Sequence, residues 1–398
     1  MNVDHLRVGV AFPGDARRPQ AWSGTPSGLV GGLEAHGVEV VALGARLPAT
    51  VDNKLLAVLS ARRTLPLLAQ GRRRREDLAP GFAVAATGPA YGAAGSAYLA
   101  LDLRRAERAG PLDAVIQIGT SYRVGHRRVV TFEDMTVAQA IAAGYPEWTA
   151  LGPGSRRLRL ARQHRTYTRA YRCLGATPWV TASIQTDHGI DAGATAAVGL
   201  GRNRTVEPVA RDWSRPRLLF LGKEWERKNG ERVLKAFRRL RQEVPGARLD
   251  LVGRHPRVEA DGVTGHGFLS LADPATGPVL TGLLQRATCL VVPSLVEPAG
   301  IVYLEAAAAG VASIATTRGG AADLVGDGGL AVEPTDTGAL LEAMRALADP
   351  AAAQAAGRRA LARSGLFTWE RVAARVLTCA GLRPHEPADW HGLFPHRS

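Results

Sequence analysis

Two glutamates with seven residues between them, Glu297 and Glu305, stand in the segment VPSLVEPAGIVYLEAAAAG. Carboxylates bind vicinal hydroxyl groups well, so this pair suits the two ends of a sugar nucleotide. Taken alone, the pair has a simpler interpretation, in which Glu297 caps a helix and Glu305 is a solvated helical carboxylate. The neighbouring segments decide between these two interpretations.

The pair brackets a predicted turn between a strand and a helix. The apolar run 289–292 predicts a buried strand, and the alanine-rich stretch 301–309 predicts a helix that Gly310 ends. A glycine at position 300 lets the backbone approach a ligand closely. The free amides of Gly300, Ile301 and Val302 then form a site where the helix dipole favours an anion such as a diphosphate.

A second segment, RPRLLFLGKEWERKNGERVLKAFRRL, places three cations in one loop. The apolar run 218–221 predicts a strand, and an amphipathic helix is predicted to begin near Gly230. Lys223, Arg227 and Lys228 lie between them, at the carboxyl end of the strand, which is where open α/β sheets bind ligands. The alternative for this segment alone is a solvated surface loop.

Together these segments resemble the carboxyl-terminal half of retaining GT-B glycosyltransferases, glycosyltransferase family 4 (glycosyl transferases group 1). Several pieces keep the order of that family along the chain. They are residues 222–230, the strand LDLVGRHP with Gly253 and Arg254, the triplet 266–268, the glutamate pair, the turn TTRGGAADLV after the strand 312–315, and the helix FTWERVAARVL at 367–377.

The resemblance implies an α/β protein with the GT-B fold: two Rossmann-like domains that face a central cleft and a C-terminal helix that crosses back. The amino-terminal half agrees, because its strand, glycine-containing loop, helix and second strand 38–43 repeat the plan of the other half. We expect an acceptor-binding domain at 1–205, a linker at 206–216, a nucleotide-sugar-binding domain at 217–365, and a helix and tail at 366–398.

The resemblance also implies roles for individual residues. Lys223 and Lys228 would neutralise the departing diphosphate, Glu297 would bind the donor sugar, and Glu305 would accept hydrogen bonds from the ribose. Whether Arg227 rather than Lys223 reaches the phosphate stays open. The expected catalytic residues are Glu297, Lys228, Lys223 and Asp134. The expected substrate-binding residues are Ser23, Gly24, Thr25, Arg227, Gly253, Arg254, Phe268, Gly300, Ile301, Val302 and Glu305.

The amino-terminal candidates have competing interpretations. Ser23, Gly24 and Thr25 precede a predicted helix, so they either contact the diphosphate or cap that helix. Glu133 and Asp134 stand where many family members have a His-Asp or similar pair. Asp134 therefore either contacts the acceptor or the donor sugar, or caps the helix that follows Thr136.

The expected activity is retaining transfer of a sugar from a nucleoside-diphosphate sugar to an acceptor hydroxyl of a glycan, a lipid-linked or a small-molecule acceptor. No Asp-x-Asp motif occurs in the chain, so we expect no metal and no cofactor. The alternatives are another GT-B enzyme, such as an epimerase or a phosphorylase, and a non-catalytic sugar-nucleotide-binding protein. The sequence leaves the donor sugar, its base, the acceptor and the oligomeric state open.

The formal net charge of +14 predicts an acidic partner. The run Arg72–Arg75 suits peripheral contact with an anionic membrane surface, although a solvated arginine run is the favoured explanation. No recognisable nucleic-acid-binding module accompanies the charge, so nucleic acid is not expected. The amino terminus lacks a signal-peptide pattern and the three cysteines are widely spaced, which favours the cytoplasm. The bias toward Arg, Ala and Gly is typical of a GC-rich bacterial source.

Overall fold

The computed structural model describes residues 6–269, 273, 275–384 and 388–394, without the side chain of residue 75. Its contacts divide the chain into two compact units. Unit 1 comprises Met1–Ala176, Val180–Val198 and Ala373–Ala388, and unit 2 comprises Thr177–Trp179, Gly199–Val372 and Asp389–Ser398. Parts of the predicted first domain, of the predicted nucleotide-sugar-binding domain and of the predicted tail, at 1–5, 270–272, 274, 385–387 and 395–398, lie outside the described residues.

Unit 1 is built on a parallel six-stranded sheet with the strand order β2-β1-β3-β4-β5-β6. Its strands are β1 (Arg7–Phe12), β2 (Glu39–Gly44), β3 (Ala114–Ile118), β4 (Val129–Glu133), β5 (Arg172–Gly175) and β6 (Thr195–Ala197). The helices of this half of the chain are α1 (Thr25–Ala35), α2 (Ala49–Ala69), α3 (Arg75–Thr87), α4 (Pro89–Ala109), α5 (Val137–Ala142), α6 (Pro146–Thr149), α7 (Pro153–Arg169) and α8 (Pro178–His188).

Unit 2 repeats this plan with the strand order β12-β11-β10-β7-β8-β9, again all parallel. Its strands are β7 (Arg217–Gly222), β8 (Arg248–Gly253), β9 (Val263–Gly265), β10 (Cys289–Val291), β11 (Ala312–Thr316) and β12 (Gly329–Val332). The remaining helices are α9 (Gly230–Glu243), α10 (Thr276–Arg286), α11 (Ile301–Ala308), α12 (Ala321–Val325), α13 (Thr337–Ala346), α14 (Pro350–Ser364) and α15 (Trp369–Cys379).

Periodic apolar residues explain why these segments form and pack. In α9, Val233, Phe237 and Leu240 recur at helical spacing and are fully buried against the sheet, while Arg238 and Arg239 are exposed. Strands such as β10 are buried over their whole length because helices cover both faces of a parallel sheet. The two-domain α/β architecture predicted from the sequence is confirmed.

The strand order places the loops of interest together. In unit 2 the order reverses between β7 and β10, which are hydrogen-bonded neighbours. Loops that follow two such strands diverge and leave a crevice at the carboxyl edge of the sheet, which is where ligands bind in open α/β folds. The loop after β7 carries Lys223, Arg227 and Lys228, and the loop after β10 carries Glu297. Within the described residues, no helix has the length and apolar composition needed to cross a lipid bilayer.

Candidate functional site

Lys228 and Glu297 meet at the switch point between β7 and β10. The ammonium of Lys228 donates a hydrogen bond to Oε2 of Glu297. Ser294 Oγ donates to the same oxygen at 2.8 Å, and a terminal nitrogen of Arg227 lies 3.9 Å from it. The Glu297 side chain is buried. The structure therefore joins the basic loop and the first glutamate of the pair in one cluster.

The charge state of Glu297 follows from these contacts. Burial alone would raise the pKa of a carboxyl group. At Glu297 the charges of Lys228 and Arg227, together with the hydrogen bonds from Lys228 and Ser294, outweigh burial and hold its pKa below the ordinary value. Glu297 is consequently an anion at neutral pH, and its charge is paired with that of the Lys228 ammonium.

The main chain of Glu297 is also fixed. Its backbone pairs with Gly319 in an isolated β-bridge. The Glu297 amide donates to the Arg318 carbonyl at 2.9 Å, and the Gly320 amide donates to the Glu297 carbonyl at 3.0 Å. A β-carbon at Gly319 would lie 2.0 Å from the Glu297 carbonyl oxygen, so only glycine fits there.

Glu297 does not cap the following helix, so that simpler interpretation is wrong. The residue that caps α11 is Gly300, with φ 97° and no side-chain cap hydrogen bond. The first amides of an α-helix have no carbonyl partner within the helix. The amides of Ile301 and Val302, at the start of α11, therefore remain candidates for binding an anion.

Glu305 is not a solvated carboxylate either. It is buried within α11, and its Oε1 lies 3.9 Å from Nε of Arg204. Burial raises the pKa of Glu305 to about 7, although the charge of Arg204 lowers it. Both terminal nitrogens of Arg204 are buried and have no hydrogen-bond partner among the described residues. A ligand hydroxyl beside Glu305 would thus meet both an acceptor and a cation.

Lys223 and Arg227, between which the sequence does not decide as the phosphate contact, differ in their surroundings. Lys223 is exposed and forms no ion pair within the described part of the chain. Arg227 is half-buried, and its Nε binds Glu224 at 2.7 Å while its guanidinium also lies beside Glu297. The structure therefore brings Arg227, rather than Lys223, into the cluster.

Asn229 positions the residue next to it in the sequence, Lys228. It adopts a left-handed conformation with φ 64° at the start of α9. Its Nδ2 donates to the carbonyls of Pro293 at 3.0 Å and of Pro334 at 2.7 Å. One side chain thus ties the loop after β7 to the loops after β10 and β12, and it sets where Lys228 can reach.

Gly253, Arg254 and Phe268 lie near the end of β8. Gly253 has φ 131°, and a β-carbon there would lie 1.8 Å from the Gly222 carbonyl oxygen, so this contact between strand ends requires glycine. The guanidinium of Arg254 stacks over the Phe268 ring at 5.5 Å, and 48% of Phe268 is exposed. An exposed flat surface of this kind is suited to an aromatic base.

In unit 1, Ser23, Gly24 and Thr25 form the turn between β1 and α1. Trp22 and Ser23 have positive φ values of 43° and 55°, which are uncommon for residues other than glycine. Gly24 caps α1 with φ 88°, and no side chain caps that helix. The alternative in which Ser23 or Thr25 is an ordinary helix cap is therefore wrong, and the strained turn remains a candidate contact site.

Glu133 and Asp134, at the end of β4, lie in different environments. Glu133 is buried, and its carboxylate accepts hydrogen bonds from the Tyr167 hydroxyl and, at 3.2 Å, from Gln163 Nε2. Burial raises the pKa of Glu133 to about 7, against the hydrogen bonds from Tyr167 and Thr120. Asp134 is half-buried. Asp134 is therefore the more exposed carboxylate of this pair, and Glu133 is held by contacts within unit 1.

The helix after Asp134 has another cap. Thr136 caps α5 through a capping box with Gln139, in which each side chain binds the other residue's backbone amide. The alternative in which Asp134 is the cap is wrong.

Gln163 holds this region together from α7. Besides Glu133, it donates to Thr120 Oγ1 at 2.7 Å, and its Oε1 accepts from the Val137 amide at 2.8 Å. The loops after β3 and β4 are therefore fixed by one buried side chain.

Three residues of these sites were not predicted from the sequence: Arg204, Asn229 and Gln163. Only Asn229 had a usable signal in the sequence, because asparagine before a helix tolerates the left-handed conformation.

In unit 1, the positive charge of the run Arg72–Arg75 is partly neutralised: Arg72 binds Asp77 at 2.6 Å, and Arg74 lies 3.5 Å from Glu76. The described residues contain no group of three or more His, Cys, Asp or Glu side chains placed to bind a metal ion.

Comparison with known proteins agrees with the chemistry of these loops. Residues 215–349 match the family model Glycosyl transferases group 1. The chain is similar to the glycogen synthase of Mycobacterium tuberculosis, with 36% identity over 192 residues, which cover 45% of this chain and 46% of that protein. The chain thus matches a little under half of the length of this curated relative.

Two solved structures share the fold over almost the whole chain. One is the sucrose-phosphate synthase from Thermosynechococcus elongatus, with a TM-score of 0.64 and 20% identity, covering 94% of this chain and 98% of that one. The other is WaaG, a glycosyltransferase involved in lipopolysaccharide biosynthesis, with a TM-score of 0.59 and 17% identity, covering 93% and 99%. The protein has the GT-B fold, and its residues 215–349 match the model of the Glycosyl transferases group 1 family.

Proposed function

We propose that the protein is a retaining, metal-independent glycosyltransferase that moves a sugar from a nucleoside-diphosphate sugar to an acceptor hydroxyl. The observation that carries the proposal is the buried cluster of Lys228, Glu297 and Ser294 beside the amino terminus of α11. It lies inside the segment that matches the glycosyltransferase family model. Cations and free helix amides at one point are suited to hold a leaving diphosphate.

In the proposed donor complex, the diphosphate contacts Lys228, Arg227 and the first amides of α11. Glu297 then accepts hydrogen bonds from the sugar, and Glu305 accepts them from the ribose. The base lies against the stacked pair of Arg254 and Phe268. The arrangement is consistent with the order of the groups along a sugar nucleotide.

The proposed reaction forms a bond between the acceptor oxygen and the anomeric carbon and breaks the bond from that carbon to the phosphate oxygen. The acceptor proton passes to the leaving diphosphate on the same face of the sugar, which retains the anomeric configuration. Lys228 and Arg227 stabilise the charge that develops on the diphosphate, a task that a divalent cation performs in other transferases. Asp134 of unit 1 is the proposed contact for the acceptor or the donor sugar.

Two finer expectations stay part of the proposal. The protein is proposed to act in the cytoplasm. Peripheral contact with an anionic membrane through Arg72–Arg75 is also proposed, with a smaller net positive charge because Arg72 and Arg74 pair with acids.

Turnover assays test the proposal. Thermal-shift screening of nucleotide sugars, with the nucleoside diphosphates as controls, first identifies the donor. Release of nucleoside diphosphate is then measured with and without acceptors, and in the presence of a chelator. A transferase releases diphosphate when an acceptor is added, retains the anomeric configuration in its product and is unaffected by the chelator.

The alternatives give other results. An epimerase releases diphosphate, or interconverts the sugar, without an acceptor hydroxyl, and a phosphorylase requires free phosphate. A binding protein shows a thermal shift without turnover under any condition. Full turnover by a Glu297→Ala variant would remove Glu297 from the proposed mechanism.

A further inference from the structure

Unit 2 contains a second basic concavity, at the edge of its sheet away from the Lys228 loop. A cavity of about 500 Å³ is lined by Val209, Ala210, Arg211, Asp212, Arg215, Arg217, Gly282, Gln285 and Arg286. Arg217 is the first residue of β7, whereas Lys228 follows the end of that strand. Six strand residues span roughly 20 Å, so the cavity and the cluster at Glu297 are separate sites.

The lining of this cavity has a large excess of positive charge. Four arginines face one acid, Asp212. That carboxylate already accepts hydrogen bonds from the hydroxyl and the amide of Ser214, at 2.5 and 3.0 Å, and lies 3.4 Å from Arg215. Its charge therefore offsets at most one of the four cations.

Arg211 forms a fixed wall of the cavity. One terminal nitrogen donates to the Ala287 carbonyl at 2.6 Å and the other to the Ala309 carbonyl, so Arg211 ties the carboxyl ends of α10 and α11 together. These contacts neutralise helix ends whose dipoles would otherwise repel an anion. The Nε of Arg211 is buried and has no hydrogen-bond partner in the described residues.

Arg217 and Arg286 are the cations available to a ligand. Within the residues that the structure describes, neither guanidinium forms a hydrogen bond or a close ion pair. The backbone of Arg217 is held by a hydrogen bond from its amide to Thr288 Oγ1 at 3.0 Å, and Arg286 ends α10. Two guanidinium groups on rigid elements can bind phosphate oxygens in the paired geometry that arginine favours.

We propose that this cavity binds a small molecule that carries a phosphate or diphosphate group. Its volume lies in the range of small-ligand sites. Arg217 and Arg286 contact the phosphate, Arg215 adds charge at the rim, and Val209 and Ala210 leave room for an organic part. Inorganic pyrophosphate and a sugar phosphate share the required chemistry.

Calorimetric titration of the full chain with inorganic pyrophosphate tests the proposal. The Lys228→Ala background removes a contact of the other predicted phosphate site, so that the two sites are distinguished. We expect binding to persist in that background and to weaken about tenfold for Arg217→Ala and for Arg286→Ala, since each removes a charge-assisted contact. Arg286→Lys should recover part of the loss.

Arg238→Ala and Arg239→Ala are matched controls, because both arginines are exposed on α9 and lie outside the cavity. Unfolding temperatures of all variants check that the fold is intact. Pyrophosphate binding that the Arg217→Ala/Arg286→Ala double variant leaves unchanged would overturn the proposal, and so would an equal loss in the control variants. A parallel titration with a hexose phosphate distinguishes the sources: tighter binding than pyrophosphate indicates that the organic part is also contacted.

Discussion

Lys228 and Glu297, which are 69 positions apart in the chain, form a buried ion pair at the point where the strand order of unit 2 reverses. In the proposed donor complex, the diphosphate would share Lys228 with Glu297 or replace that carboxylate as its partner, and Glu297 would then be available to the sugar. The pair therefore couples the two proposed contacts, one to phosphate and one to the sugar, in a single exchange.

The first prediction concerns the stability of this pair. Glu297→Ala leaves the Lys228 ammonium buried without its partner, and we expect the free energy of unfolding to fall by about 3–5 kcal/mol. Lys228→Met should lower the free energy of unfolding by a similar amount. The double variant should lose clearly less than the sum, because no charge is then left alone. Urea unfolding of the four proteins measures this coupling, and strictly additive losses would contradict it.

The second prediction concerns pH and Glu305. Its pKa in the folded protein is raised to about 7, above the ordinary value of 4.5, so the folded state binds more protons than the unfolded state between these values. The contribution of Glu305 to the free energy of unfolding is fully present below about pH 4.5. It is lost as the pH rises through about 7, with a slope of up to about 1.4 kcal/mol per pH unit. Unfolding of the Glu305→Gln variant should show a flatter dependence in this window.

Glu133 contributes a slope of the same sign, because its pKa is also raised to about 7. Glu133→Gln should flatten the pH dependence of the free energy of unfolding, both in the wild type and in the Glu305→Gln variant. A pH profile that neither substitution changes would show that these groups do not titrate in this range.

The third prediction concerns Arg204. Its charge lowers the pKa of Glu305, so Arg204→Met should move the midpoint of donor binding to higher pH, while Arg204→Lys should move it less. The readout is donor affinity as a function of pH, since in the proposed complex the ionised carboxylate of Glu305 accepts the hydrogen bonds of the ribose hydroxyls. An unchanged midpoint in Arg204→Met would separate Arg204 from the function of Glu305.

The fourth prediction concerns Asn229. Asn229→Gly tolerates the left-handed backbone but loses the hydrogen bonds to Pro293 and Pro334, whereas Asn229→Ala loses these bonds and is also strained by about 1 kcal/mol. We expect both variants to bind donor more weakly, because Lys228 is no longer held in place. Thermal unfolding should separate them, with alanine the less stable. Wild-type donor affinity in both would show that Asn229 does not position Lys228.

The fifth prediction concerns Gln163. Gln163→Leu removes the bonds to Thr120, Glu133 and the Val137 amide, and each buried polar group left unpaired costs about 1–3 kcal/mol. The exposed Gln242 on α9 offers a matched control, and Gln242→Leu should change stability by less than about 0.5 kcal/mol. Urea unfolding distinguishes the two, and equal effects would contradict a special role for Gln163.

Local patterns predict most of the fold. The strand predicted at 289–292 and the helix predicted at 301–309 differ from the observed Cys289–Val291 and Ile301–Ala308 by a single residue each. These elements follow from short apolar runs and helix-forming composition, which act over a few neighbouring residues. The meeting of the basic loop with Glu297 could likewise be expected, because loops that follow adjacent parallel strands share one edge of a sheet.

The rest depends on distant contacts that a single sequence does not contain. Nothing near Arg204 indicates that it lies beside Glu305, since that contact depends on the path of the chain before β7. The difference between Glu133 and Asp134 is also hidden in the sequence, because it is set by Tyr167 and Gln163 on a later helix.

The bridge between Glu297 and Gly319 limits how this site can be redesigned. It makes the loop after β10 a short continuation of the sheet, so position 297 has a fixed register. An inserted residue would shift the carboxylate by one strand step, about 3.3 Å, and turn it to the other face. We therefore expect exchanges of the side chains around position 297 to leave the proposed site in place, and changes in loop length to remove the carboxylate from it.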